Sequence, residues 1–146
     1  MADFKISGLE GLTEDLLAAS EIDDETAEDI LNAEADVVVA SQKRTAEEFG
    51  VKDTGKLIKS IKKTKVRHNK KGGGHSISVY PHGSRKRGGK RIRNSEIGFY
   101  NEFGTRREKY RIPARPFTHV GNARCENEMY AAAENKMDEF LKKFGL

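Results

Sequence analysis

Charge is sorted along this chain, and that sorting limits how it can fold. Residues 1–50 carry 14 acidic and 3 basic side chains, whereas residues 51–124 carry 21 basic and 4 acidic. Residues 125–146 return to 5 acidic and 3 basic, so the modest net charge of +4 conceals an acidic beginning and a basic middle. Two strongly opposed blocks call for directional contacts. The acidic block can neutralise the basic one within a monomer, meet it head to tail in the next copy, or leave it to a polyanion. Hydrophobic residues make up 36% and charged residues 34% of the 146 positions. Such a composition fits one domain, 1–146, with one modest core and a polar surface.

Periodicity divides the chain. Residues 1–22 read as a short strand at Phe4-Lys5-Ile6 followed by a short helix. From 24 to 49 the pattern is a long helix, capped by Asp23 or Asp24 and stopped by Gly50, with Ala27, Ile30, Leu31, Val37, Val38 and Ser41 on one face. Asp53-Thr54-Gly55 restarts the chain with a helical turn. Residues 61–80 alternate around Gly72-Gly73-Gly74 and predict a β-hairpin with Ile77 and Val79 toward the core. The segment 83–93, rich in glycine and charge, predicts a mobile basic loop. The segment from Glu96 to Phe103 reads as strand or short helix, the four-residue spacing of Phe99 and Phe103 favouring helix, with Gly104 free to take positive φ at its exit. Pro113 and Pro116 exclude regular structure around 112–116. An amphipathic helix over 122–144 closes the chain, with Met129, Ala133, Met137, Phe140, Leu141 and Phe144 as its stripe. The predicted class is α+β: a small antiparallel sheet with a basic β-hairpin, packed against a long N-terminal helix and a C-terminal helix.

Catalytic patterns are poorly represented. His68, His75 and His82 recur every seven residues but have no cysteine or acidic neighbours in sequence, so no metal site is predicted. The zinc-protease helix motif, the P-loop and the nucleophile elbow are absent from the sequence. Cys125, the single cysteine, excludes an intrachain disulfide, suits a reducing cytoplasm and reads as an inert thiol. The N-terminus lacks a signal-peptide pattern, and no apolar run reaches about 18 residues, which argues against a membrane. No enzyme activity and no cofactor are predicted. Glu102 reads as a structural ion-pair partner of Arg106 and Arg107. The basic segments offer nonspecific DNA contact, through Arg85, Lys86, Arg87, Lys90, Arg91 and Arg93 in particular, with few aromatic residues for base stacking.

The remaining constellation is Glu102-Phe103-Gly104-Thr105 followed by Pro113-Ala114-Arg115-Pro116-Phe117. With Phe4-Lys5-Ile6-Ser7-Gly8-Leu9-Glu10, a long helix, Thr54-Gly55-Lys56-Leu57-Ile58-Lys59-Ser60-Ile61 and a C-terminal helix, in that order, it resembles the tail-completion (minor tail component, head–tail joining) family of long-tailed bacteriophages. The chain departs from that pattern at Val51-Lys52-Asp53, where the family often has a proline, and in its longer insert at 83–93. The resemblance implies a structural role at the neck end of the tail. It implies assembly in the bacterial host cytoplasm, a homo-oligomeric ring, and contacts with tail-tube, tail-terminator or neck proteins. On that reading Glu102, Phe103, Gly104, Thr105, Arg106, Arg107, Arg111, Pro113, Arg115, Pro116 and Phe117 form a partner-docking loop. The competing reading is a basic DNA-binding module.

Overall fold

The computed structural model describes residues 22–51, 55–107, 109 and 111–146. The short strand and helix expected over residues 1–22 and the turn at Asp53-Thr54 lie outside them, Ile22 apart. The organising element is helix α1 (Asp24–Glu48). Asp23 caps it, its carboxylate accepting the Thr26 N–H at 2.7 Å, which satisfies a donor that the helix itself leaves open. The Thr26 hydroxyl, and after it this N–H bond, hold the Asp23 carboxyl below its ordinary pKa. At the other end Gly50 takes φ 65°. The Gly50 N–H reaches the Glu47 carbonyl at 3.1 Å and the Val51 N–H the Ala46 carbonyl at 2.9 Å. This is the Schellman arrangement, in which the residue after the glycine folds back on the last turn. Its apolar contact is Val51 against Ala46, and both belong to the core with Leu57, Ile61 and Phe117.

Two C-terminal helices lie along α1, where a single one over 122–144 was expected. The first runs over Phe117–Arg124 (here α4) and the second over Glu126–Lys142 (α5), with Cys125 at φ −101°, ψ 6° between them. The break follows from a close approach. A Cβ on Gly121 would stand 3.0 Å from the Gln42 Cα, and Ser41 Oγ donates to the Gly121 carbonyl at 2.7 Å. Gln42 Nε2 reaches Asn122 Oδ1 at 2.9 Å. The α1 face is therefore buried through Ala35, Ser41, Gln42, Thr45 and Ala46, small or hydrogen-bonded residues that let the backbones meet. The larger Ile30, Leu31, Val37 and Val38 are only half-buried.

Among the described residues the antiparallel strands form three two-stranded ladders. A short helix, α2 (Lys56–Ser60), leads into β1 (Ile61–Lys63), which pairs with β4 (Val79–Pro81); β2 (Arg67–Asn69) pairs with β3 (Gly74–Ser76). Ile61 opposes Pro81 in the first ladder and Arg67 opposes Ser76 in the second. Three residues, 64–66, therefore face two, 77 and 78: a β-bulge in one long hairpin. Thr64 holds the bulge, its N–H on the Ser78 carbonyl at 2.8 Å and its Oγ1 accepting the Ser78 N–H at 3.1 Å. Ile77 and Val79 both stay half-buried.

Residues 83–93, expected as a mobile loop, instead form a hairpin of β5 (Ser84–Arg87) and β6 (Lys90–Arg93). The turn residues explain it. Gly88 and Gly89 take φ 57° and 78°, the two positive values that a two-residue type I′ turn requires. Helix α3 (Asn94–Phe103) follows directly. Its Gly98 lies on the ring of Pro81, whose Cγ is 3.0 Å from where a Cβ on Gly98 would stand.

Candidate functional site

The segment from Glu102 to Phe117 connects α3 to α4, and its two motif-bearing ends are joined to each other by hydrogen bonds. The Gly104 N–H caps α3 on the Tyr100 carbonyl at 2.9 Å. The Thr105 N–H then donates to the Ile112 carbonyl at 2.9 Å, and the Ile112 N–H returns to Thr105 Oγ1 at 3.0 Å. The Arg115 N–H reaches the Asn101 carbonyl at 2.7 Å. Gly104 sits at φ 73°, ψ −179°, a region open essentially to glycine alone. A Cβ there would stand 2.7 Å from the Ile112 carbonyl oxygen and 2.9 Å from the Ala114 nitrogen.

Glu102 departs from the expectation of an ion pair with Arg106 and Arg107. Its carboxylate is buried and accepts the N–H groups of Thr118 at 2.8 Å and His119 at 2.9 Å. These are the second and third residues of α4, whose N-cap position is filled by Pro116 with no side-chain cap of its own. Glu102 thus supplies, from another helix, the acceptor that an N-cap side chain normally provides, and its negative charge meets the positive end of the helix dipole. The reason for the departure is reach: α3 and α4 bring the carboxylate to amides 16 and 17 residues away, while Arg106 and Arg107 point to solvent.

The eleven residues read as a docking loop therefore divide. Glu102, Gly104, Arg115 and Phe117 brace the fold: Arg115 Nη1 donates to the Gly50 carbonyl at 3.1 Å, at the negative end of α1, and Phe117 is 1% exposed in the core. Thr105 is half-buried and engaged with Ile112. Phe103, Arg106, Arg107, Arg111, Pro113 and Pro116 are exposed. An open hollow of about 330 Å³ is lined by residues 103–106 and 111–114.

Sequence reasoning missed the neighbouring surface. Phe99, Tyr100 and Phe103 on α3 are 60%, 48% and 67% exposed. Phe99 is the hub, its ring 4.8 Å from that of Phe103 and 6.2 Å from that of Tyr100. Tyr80 is exposed nearby and lines the same shallow groove as Phe99 and Phe103, against Pro81 and Gly98. The four-residue spacing of Phe99 and Phe103 signalled the helix; only packing of Gly98 against Pro81 shows which way that face turns.

The six basic residues of 85–93 lie on the β5–β6 hairpin, where Lys86 opposes Arg91 and Arg87 opposes Lys90. The acidic helix meets the other, bulged hairpin. Lys63 Nζ lies 2.8 Å from Asp36, His68 Nε2 2.8 Å from Glu28, and His75 Nε2 3.1 Å from Asp24. Part of the charge split is therefore neutralised inside the chain. The histidines read without acidic neighbours gain them here from a helix some 40 residues away. His82 stands apart, stacked on Tyr80 at 4.1 Å. Among the described residues no helix is long and apolar enough to cross a membrane.

The α+β scaffold thus turns an aromatic helix face and a basic hairpin outward. The chain is a member of the HK97-gp10-like family, described as bacteriophage HK97-gp10, putative tail-component, whose model matches residues 10–104. The match takes in the long helix, both hairpins and α3, and ends at Gly104, before the Pro113–Phe117 element. No curated protein and no solved structure matches the chain. Membership makes it a structural protein of the phage tail.

The brace makes a sharp prediction. Gly104→Ala should destabilise the fold by at least about 1–3 kcal/mol from backbone conformation alone. Arg106→Ala, two residues on, should stay within about 0.5 kcal/mol of the unmodified protein. Chemical denaturation of both variants measures the contrast.

Proposed function

We propose that the protein completes the tail at the end that joins the head, acting as a docking piece in a ring of its own copies. The observation that carries this reading is the exposed Phe99–Tyr100–Phe103 face beside the arginine-bearing loop. Three neighbouring aromatic side chains left in water on one short helix are costly unless a partner covers them. Aromatic and arginine residues are also the types that dominate interface energetics. The neighbours are tail-tube, tail-terminator or neck proteins, and the work is positional, not catalytic. The bracing by Glu102, Gly104 and Arg115 supports docking because a preordered loop loses little entropy on binding. Within this reading the acidic α1 contributes less to contacts between copies than its charge suggests, since Asp24, Glu28, Asp36 and Glu48 already have partners in the same chain.

The pair Phe99→Asp and Phe103→Asp tests it. Both side chains are exposed, so the variant should fold and melt like the parent. It should lose about thirtyfold or more in affinity for its tail partner, the loss of a hot spot worth about 2 kcal/mol, and should fail to complement tail assembly. Complementation at the parental level would refute the assignment of this face.

A second reading concerns the β5–β6 hairpin. Like charges directly opposite on neighbouring strands destabilise a ladder, and Lys86–Arg91 and Arg87–Lys90 are two such pairs in succession. A polyanion laid along the hairpin removes that cost, and DNA passing the neck is the one at hand. Replacing Arg87 and Lys90 with Gln should flatten the dependence of log affinity for duplex DNA on log salt, by about one in slope for each phosphate no longer neutralised. Lack of DNA retention by the parent at about 50 mM salt would dismiss it.

A further inference from the structure

We propose that Asp24, His68 and His75 form a zinc site that clasps the tip of the bulged hairpin to the start of α1. The backbone sets the two histidines side by side. His68 and His75 are direct cross-strand partners in the β2–β3 ladder, so their side chains leave the same face, and their rings lie 4.3 Å apart. That face turns toward the first turn of α1, where Asp24 and Glu28, one turn apart, project together. One donor atom from each of Asp24, His68 and His75 lies within 4.8 Å of the others. Glu28 holds the His68 Nε2 at 2.8 Å, which makes it the orienting carboxylate or, after rotation, the fourth donor.

Two imidazoles with carboxylate oxygens are a borderline donor set that suits zinc better than calcium or magnesium, which take oxygen alone. Tetrahedral zinc with bonds of about 2.0–2.1 Å needs donor–donor edges of about 3.3 Å. The existing 3.1 Å between His75 Nε2 and Asp24 Oδ1 already meets this. The remaining closure falls to Asp24 and His68, whose side chains are exposed enough to turn. The two carboxylates also balance the dication. The site joins segments otherwise tied here by surface ion pairs, which contribute little singly.

The test uses the untagged full chain, stripped of metal and titrated with zinc sulfate by calorimetry, with Tm recorded in parallel. The parent should take up one zinc per chain and melt at a higher temperature when loaded. The double variant His68→Gln, His75→Gln should keep its metal-free Tm within a few degrees of the parent and lose both zinc uptake and the Tm rise. Glu28→Gln should weaken binding about tenfold or more, as loss of an orienting partner does. His119→Ala, an exposed histidine outside the cluster, should change nothing. Absence of saturable 1:1 uptake in the parent, or equal uptake by the double variant, would overturn the proposal and leave the histidines as ion-pair partners only.

Discussion

The Glu102 carboxylate is the contact on which the rest of this structure turns. It is a buried charge, and a charge is tolerated there only because two amide donors and a helix dipole receive it. The amides belong to Thr118 and His119, so one side chain fixes the end of α3 to the beginning of α4. Phe117, immediately before those amides, is thereby placed in the core with Leu57, Ile61, Val51 and Ala46. Removing a partner from such an arrangement leaves unpaired groups behind, a penalty larger than the net value of the bonds themselves.

From that anchor the functional surface follows. With both ends of the 102–117 segment fastened, through Glu102 and Gly104 at one end and Arg115 and Phe117 at the other, the chain between them turns Arg106, Arg107 and Arg111 outward. Gly98 resting on Pro81 commits one side of α3 to the β4 strand, and Phe99, Tyr100 and Phe103 stay exposed beside that contact. The same packing that completes a small core therefore exposes an apolar helix face. That exposed face is the surface on which the proposed docking rests.

Local signals in the sequence were legible and remote ones were not. Helix α1 could be read from Asp23 and Gly50 because a cap and a stop act within a turn of the residues they terminate. The outward arginines and the proline-stiffened approach to Phe117 were legible for the same reason. The role of Glu102 was hidden, since its partners lie at the start of a helix that the sequence placed several residues later, beyond Pro116. The β5–β6 hairpin escaped because its strands carry charge where apolar alternation is sought, and Gly88-Gly89 was read only as part of a glycine-rich loop. The break at Cys125 depends on Gly121 meeting Gln42, a contact between helices far apart in sequence. The gathering of His68 and His75 with Asp24 and Glu28 likewise requires the hairpin to lie against α1.

The proposed docking sets the α3 face against another structural protein of the virion. A photo-crosslinking amino acid at position 99, introduced during tail assembly, tests it most directly, with a second probe at Tyr130, an exposed aromatic on α5, for comparison. Adducts are expected from position 99 to a neighbouring virion protein or a second copy of this chain, and few or none from position 130. Adducts from position 130 with none from position 99 would contradict it.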